Sequence, residues 1–281
     1  MSILFSAYKK ISKSLSGYGL GNNKIIKKIK RFIFMKTKPE FIIVNGNKMY
    51  LDKLDSMRIL TQEFEPIETR LVKEKIKKGE TVLDIGANIG YYTLIFSKLV
   101  GPKGKVFSFE PDIENFKILK KNVKVNNCKN VILVNKAVSD KNGTEKMTIF
   151  DGNRGRNTVG ARDFNDEEIT SKEPVKTIAI DKYLDKNIKV DFIKIDIQGS
   201  EYKAFKGLRK VIKRSNNLKI LAELSPSCLE MCGAKVDEYI KELKKNFNIY
   251  TIDKGLMRTN GKNIKYRSEN YTDLYGERKK K

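Results

Sequence analysis

From residue 81 onward the chain repeats one pattern that leaves little choice of fold. Short apolar runs alternate with longer stretches that carry apolar residues at helical spacing. The runs are TVLDI (81–85), KVFSFE (105–110), VILVNKAV (131–138), DFIKID (191–196) and KILAEL (219–224). Between them, helices are expected over about 91–99, 113–125, 200–213 and 235–246. In the second of these, Phe116, Leu119 and Val123 fall on one face. Strands that are apolar on both faces must be covered on both faces. That requirement predicts an α/β protein with a mostly parallel sheet between two helix layers. The polar stretch 151–173 interrupts the rhythm and is expected to be an exposed loop, of the kind that forms lids or recognition elements.

The residues ahead of this pattern differ in character. Residues 1–38 hold ten Lys or Arg and no acid. Leu4, Tyr8, Ile11 and Leu15 share one helical face, and Ile25, Ile29, Phe32 and Ile33 share another, with GYGLGNN between. The favoured expectation is two helices packing their apolar stripes on the main domain. A basic amphipathic helix lying on an anionic membrane or on RNA stays open beside it. FIIVNGNKMYL (41–51) reads as a hairpin turning at Asn45-Gly46, and a helix is expected from about Pro66 to Lys78.

Composition narrows the function classes. A net charge of +24, from 58 Lys+Arg against 34 Asp+Glu, suits an anionic partner, although lysines spread over solvated faces explain it equally well. Three cysteines (Cys128, Cys228 and Cys232) argue against a disulfide framework and suit a reducing compartment. With no histidine and no second cysteine pair, no metal site is expected. No apolar stretch reaches the length of a membrane span, and MSILFSAYKK lacks the core of a signal peptide. The expected location is cytoplasmic, with peripheral membrane attachment as an alternative.

The chemistry concentrates at the ends of the apolar runs. Asp84-Ile85-Gly86-Ala87-Asn88-Ile89-Gly90 follows a strand and opens a helix. Gly86 and Gly90 permit a tight turn, and Asn88 tolerates a left-handed backbone. The spacing is not the G-x-G-x-x-G of dinucleotide sites, and the acid before the first glycine suits an amino-bearing ligand over a pyrophosphate. Glu110, at the end of the second run and followed by Pro111, offers two acceptor oxygens to a ribose diol. A nucleoside with a positive, amino-acid-like tail is S-adenosylmethionine. In DFIKIDIQGSE, Lys194 and Asp196 interrupt an apolar strand at its carboxyl end and share a face, so they can pair with each other or act on a substrate. Without histidine, the candidate proton acceptors for an attacking hydroxyl are Asp196, Glu201, Glu223 and Lys194.

VLDIGANIGYYT, GKVFSFEPD, VNKAVSD and DFIKIDIQGSE, in this order, closely resemble the FkbM family of S-adenosylmethionine-dependent methyltransferases, and GNKMYLD and EPIET upstream also look like it. The resemblance covers about residues 44–255. It implies a class I methyltransferase (Rossmann-like) sandwich with a mostly parallel seven-stranded sheet. It places Asp84, Gly86, Asn88 and Gly90 at the methionine end of the cofactor, Glu110 and Pro111 at the ribose, and Asn135 and Ala137 beside the adenine. Gln198 stands where family members often carry Glu. The domain plan that follows is a basic helical extension (1–40), a hairpin and helix (41–78), the cofactor-binding domain (79–256) and a C-terminal segment (257–281) with the last strands and a basic tail. The expected activity is O-methylation of a small-molecule, glycan or lipid hydroxyl. RNA methylation through the basic surface is the alternative, and a non-catalytic membrane-associated protein the third reading.

Overall fold

The computed structural model describes residues 24–55, 57, 59–60, 63–150, 153–162, 169–252, 255–259, 261, 264 and 271–279. The chain divides into two units, Met1–Phe64 and Glu65–Lys281. The helix expected around Leu4–Leu15 lies outside the described residues.

The first unit holds a helix, α1 (Lys24–Thr37), and a hairpin of β1 (Phe41–Val44) and β2 (Asn47–Tyr50). Asn45 and Gly46 take φ of 49° and 69°, the double left-handed turn whose twist matches that of the flanking strands. Part of the apolar stripe of α1 is open to solvent. Ile29, Phe32 and Ile33 are 53%, 59% and 40% exposed, while Phe34, on the other side of the helix, is buried. Helical periodicity marks an apolar face but does not say what covers it.

The second unit is built on one large sheet. Its strands in chain order are β3 (Thr81–Ile85), β4 (Lys105–Phe109), β5 (Val131–Val134), β10 (Phe192–Ile195), β11 (Lys219–Leu224), β12 (Phe247–Ile252), β13 (Leu256–Arg258) and β14 (Thr272–Arg278). Their order across the sheet is β13-β12-β14-β11-β10-β3-β4-β5. The five strands from β5 to β11 pair in parallel, and β14 is antiparallel to both β11 and β12. That is the strand order of a class I methyltransferase, reversing on either side of β3 and β10. The sheet has eight strands instead of the expected seven because a short exposed strand, β13, pairs with the edge of β12.

The helices are α2 (Pro66–Lys75), α3 (Tyr91–Val100), α4 (Ile113–Val125), α5 (Ile180–Tyr183), α6 (Glu201–Lys206), α7 (Arg209–Arg214), α8 (Pro226–Met231) and α9 (Val236–Asn246). In α9, Tyr239, Ile240 and Leu243 are buried against a core that includes Phe205, Phe247 and Ile249. Each such side chain contributes at most about 1.5–3 kcal/mol over exposure. The single helix expected over 200–213 is two helices, because the chain breaks at Gly207, whose amide caps α6 and whose carbonyl receives the Asp181 amide.

Two further departures share one cause. VILVNKAV is not one strand. The Asn135 amide donates to the carbonyls of Glu110 (2.8 Å) and Pro111 (3.1 Å) and turns the chain off the main sheet after β5. It resumes as β6 (Ala137–Val138), which pairs with β9 (Ile169–Ile178) in a second sheet of order β6-β9-β7-β8. Here β7 is Gly143–Phe150 and β8 is Thr158–Val159. The stretch 151–173 is therefore not simply a loop, since it contains a 3-10 turn (Arg154–Arg156), β8 and the start of β9. The partly exposed arm β9 carries little apolar patterning, and its extension comes from eight cross-strand pairings with β7.

Candidate functional site

The glycine turn, Glu110, the Lys194–Asp196 strand end and Glu223 lie at the carboxyl edge of β3, β4, β10 and β11. The turn after β3 is built by close approach. At Gly86 (φ 86°) an added Cβ would lie 1.9 Å from the Asp196 carbonyl oxygen, so the two neighbouring strand ends touch backbone to backbone. The Gly86 and Ala87 amides donate to the Phe109 carbonyl, both at 3.0 Å. Asn88 is left-handed (φ 50°), its side chain accepts from the Ile89 amide at 2.8 Å, and its own amide donates to Glu110 at 2.8 Å. The glycine turn and the ribose-binding candidate are thus one hydrogen-bonded unit.

Glu110 is buried, and its second oxygen accepts from the Asp112 amide at 2.9 Å. Burial pushes its carboxyl up to about 8, against the pull of the Asp112 and Asn88 amides. A polar diol that hydrogen-bonds the carboxylate would relieve that burial penalty. Asp84 is buried too. One oxygen accepts from Thr93 Oγ1 at 2.5 Å, while the other has no partner among the described residues. Burial raises it to about 6 despite the opposing charge of Lys194. An orphaned carboxylate oxygen beside a left-handed glycine turn fits the amino-acid end of S-adenosylmethionine, and Glu110 fits its ribose. Asn135 is exposed at the end of β5, whereas Ala137 packs with Met147, Ile149 and Val159 in the small core of the second sheet.

The reacting edge lies next to this turn. Lys194 is buried and pairs with Asp196 at 3.0 Å. Gln198 Nε2 donates to Asp196 (3.1 Å) and to Glu223 (2.9 Å). Burial would lower the Lys194 ammonium, but Asp196, Glu65 and Asp84 outweigh it and hold it well above its usual value. Lys194 therefore stays charged and is not a proton acceptor. Asp196 remains an anion: burial works against it, and the Lys194 charge and the bonds from Lys194 and Gln198 prevail. Glu223 goes the other way, driven well up by burial and by the Asp196 and Glu201 charges. The two carboxyls of this pair are thus pushed in opposite directions. Among the described residues Glu201 accepts backbone amides, from Ile197 (3.0 Å) and Gly199 (2.9 Å), and so holds the loop that presents Gln198. Burial raises it to about 7.

Two groups at this edge escaped the sequence reading. Tyr92 on α3 places its ring 4.8 Å from Lys194 Nζ and donates its hydroxyl to Glu65 at 2.7 Å. Glu65, the residue before α2, sits left-handed at φ 43°, and burial lifts its carboxyl to about 7, with Lys194 pulling it back. The available signal was EPIET, a carboxyl held directly ahead of a helix-starting proline. Glu65, Asn88 and Gln198 (φ 53°) are three of the six left-handed non-glycine residues described, and all three border this edge. Each such residue costs about 1–2 kcal/mol, a strain that the surrounding bonds hold in place.

The segment 153–162 crosses over the same edge. Arg154 reaches the buried Asp112 at 2.5 Å, and Asn157 meets the same oxygen at 2.7 Å. Thr158 then donates to the Gln198 carbonyl (2.6 Å), Ser200 to the Val159 carbonyl (2.5 Å), and the Arg162 amide to Met231 (2.9 Å). The strap thus ties the ribose side, at β4, to the Gln198 loop and α8. A hollow of about 720 Å³ lined by Lys98, Lys103, Lys105 and Lys129 opens at the opposite edge of the sheet, away from every one of these groups.

The FkbM methyltransferase domain matches residues 84–247, more than half of the chain. The chain belongs to the FkbM methyltransferase family. Its methyl donor is S-adenosylmethionine. No curated protein matches the sequence as a relative. Among solved structures, this FkbM chain resembles a candidate rRNA methylase from Clostridium thermocellum (16% identity, 75% of this chain and 95% of that one, TM-score 0.48). It also resembles an S-adenosylmethionine-dependent O-methyltransferase from Thermotoga maritima (14%, 91% and 82%, TM-score 0.45). A third is an FkbM methyltransferase from Methylobacillus flagellatus (18%, 74% of this chain and 50% of that one, TM-score 0.44), of which the chain spans half the length. All three are too distant to speak to the methyl acceptor.

Proposed function

We propose that this methyltransferase acts on a hydroxyl oxygen of a small molecule, sugar or lipid. The observation that carries the reading is the Lys194–Asp196–Gln198–Glu223 array, an ionised carboxylate held by a permanent cation beside an amide and a second, buried carboxyl. Such a set both donates and accepts, which suits an acceptor carrying several hydroxyls. S-adenosylmethionine supplies an electrophilic methyl on a sulfonium. Asp84, the Gly86 turn and Glu110 would hold that donor, and Asp196 would take the proton of the hydroxyl that attacks it. Lys194 keeps Asp196 ionised for the purpose, and Glu65, poised near neutrality behind Tyr92, is the second group able to receive a proton. Much of the rate would come from orientation alone.

Calorimetry with S-adenosylmethionine tests the cofactor half, since Glu110→Ala removes charged hydrogen bonds and should weaken binding about tenfold or more. Labelled-methyl transfer to a panel of sugars, lipids and phenols tests the acceptor half. Asp196→Asn should lower turnover about a hundredfold or more. Transfer only to nitrogen or only to RNA would overturn the hydroxyl reading, and a wild type that does not bind S-adenosylmethionine would leave no methyl donor to explain.

A further inference from the structure

The apolar surface of this protein is unevenly placed. Of the eleven large hydrophobic side chains described as exposed, six lie between residues 29 and 43: Ile29, Phe32, Ile33, Met35, Phe41 and Ile43. Ile29, Phe32 and Ile33 follow i, i+3, i+4 spacing and form one stripe on α1, with Lys36 one turn on from Phe32 and its ammonium 6.0 Å from that ring. Phe41 and Ile43 share the open face of β1, where their cross-strand partners are Tyr50 and Lys48. Lys48 Nζ lies 3.9 Å from the Phe41 ring. The other face of the hairpin buries Met49 completely. Helix and hairpin therefore each show an apolar, partly aromatic face edged by lysine.

Charge sorts the same way. Residues 1–64 hold thirteen Lys or Arg against four acids, and the first acid is Glu40, whereas the whole chain has 58 against 34. We propose that this unit docks the enzyme on an anionic lipid surface, with Ile29, Phe32, Ile33, Phe41 and Ile43 entering the boundary between headgroups and acyl chains while lysines meet the lipid phosphates. RNA would satisfy the charge, but the aliphatic side chains Ile29, Ile33 and Ile43 have nothing to gain from phosphates or base edges, whereas hydrocarbon removes them from water. The fourteen residues of α1 span roughly 21 Å, short of the ~30 Å hydrocarbon core, so the helix lies along the surface. Lysine stems can reach along apolar surface to the phosphates, which makes Lys36 and Lys48 part of the same device.

The chain has no tryptophan, so Phe32→Trp introduces a single fluorescent reporter at an exposed position. With full-length protein, its emission should shift to the blue on addition of phosphatidylcholine–phosphatidylglycerol vesicles, but not of phosphatidylcholine vesicles or of a single-stranded RNA. In co-sedimentation with the mixed vesicles, Phe32→Glu with Ile33→Glu should weaken wild-type binding by about tenfold or more. High salt should weaken it further by screening the phosphates. Unchanged S-adenosylmethionine binding by the double variant shows that the enzyme is still folded. No sedimentation with mixed vesicles, equal sedimentation of wild type and double variant, or a blue shift with RNA in place of lipid would each overturn the proposal.

Discussion

Replacing Gly86 by alanine tests how the cofactor turn is built. The added Cβ would lie 1.9 Å from the Asp196 carbonyl oxygen and 2.9 Å from both its carbon and Ile197 Cγ2, at φ +86°. Two costs separate cleanly. A left-handed alanine costs about 1–2 kcal/mol wherever it sits. Relieving the clash means moving β10 against β3, which are registered Lys194 to Asp84 and Ile195 to Ile85 and joined by the 3.0 Å bond from the Asp196 amide to the Ile85 carbonyl. Overpacking of this kind adds about 1–3 kcal/mol. Gly79 is the internal control, because it has nearly the same φ (+84°) and no heavy atom within 4 Å of an added Cβ. Gly79→Ala should therefore cost only the backbone part, about 1–2 kcal/mol, and Gly86→Ala about 2–5 kcal/mol. At about 2–4 °C per kcal/mol, the Tm of Gly86→Ala should fall several degrees further in parallel thermal melts. Gly86→Ala should also lose S-adenosylmethionine affinity by displacing Asp196, while Gly79→Ala keeps it. Equal loss of Tm in the two variants would refute the close-approach argument.

Other consequences follow from the buried carboxyls and the strap. Glu110 (about 8), Glu65 and Glu201 (about 7) and Asp84 (about 6) all titrate above their unfolded values, so the folded state holds more protons than the unfolded one. The contribution of these four groups to stability is then full below about pH 4 and falls as pH rises toward 8, and a Tm that rose between about pH 5 and about pH 8 would contradict their burial. Because a ribose diol favours the Glu110 carboxylate, S-adenosylmethionine binding near pH 7 should release a proton, measurable as a buffer-dependent heat in calorimetry; no release would remove Glu110 from the ribose. Arg154→Ala cuts the strap from Asp112, whose oxygen keeps Asn157, so cofactor dissociation in stopped flow should speed up about tenfold for the loss of one charged bond. An unchanged off-rate would show that the strap does not gate the cleft. Glu201→Ala orphans the Ile197 and Gly199 amides and should cost about 1–3 kcal/mol per amide in denaturant melts; loss of turnover with full stability would instead make Glu201 a catalytic group.

Legibility in the sequence tracked how local each cause is. The strands 81–85, 105–109 and 219–224 and the helix 113–125 lie where their patterns predict, because burial on both faces demands apolar runs and amphipathicity demands a 3.6-residue period. Asn45-Gly46 gave its turn through two residues alone. By contrast, VILVNKAV looks continuous, yet its partner strand changes at Asn135, and nothing in an apolar run names the strand it will pair with. ITSKEPVKTI has almost no apolar alternation and is extended only because β7 pairs with it. The site divides in the same manner. Gly86, Asn88, Glu110, Lys194 and Asp196 belong to motifs at strand ends and were readable. Glu65 and Tyr92 were not, because their place opposite Lys194 depends on how α2 and α3 pack against the sheet.

By itself, then, the sequence determined the alternating α/β pattern, the position of the glycine turn and the acids that close its strands, since these rest on backbone sterics, side-chain period and residue chemistry within a few positions of one another. Only the tertiary structure decided that Asp196 stays ionised while burial drives the Glu223 carboxyl up, that Glu201 serves a loop, and that Arg154 closes a strap on Asp112. The physical reason is that charge state and partnership depend on burial and on distances between groups far apart in the chain, which no short stretch of residues can encode.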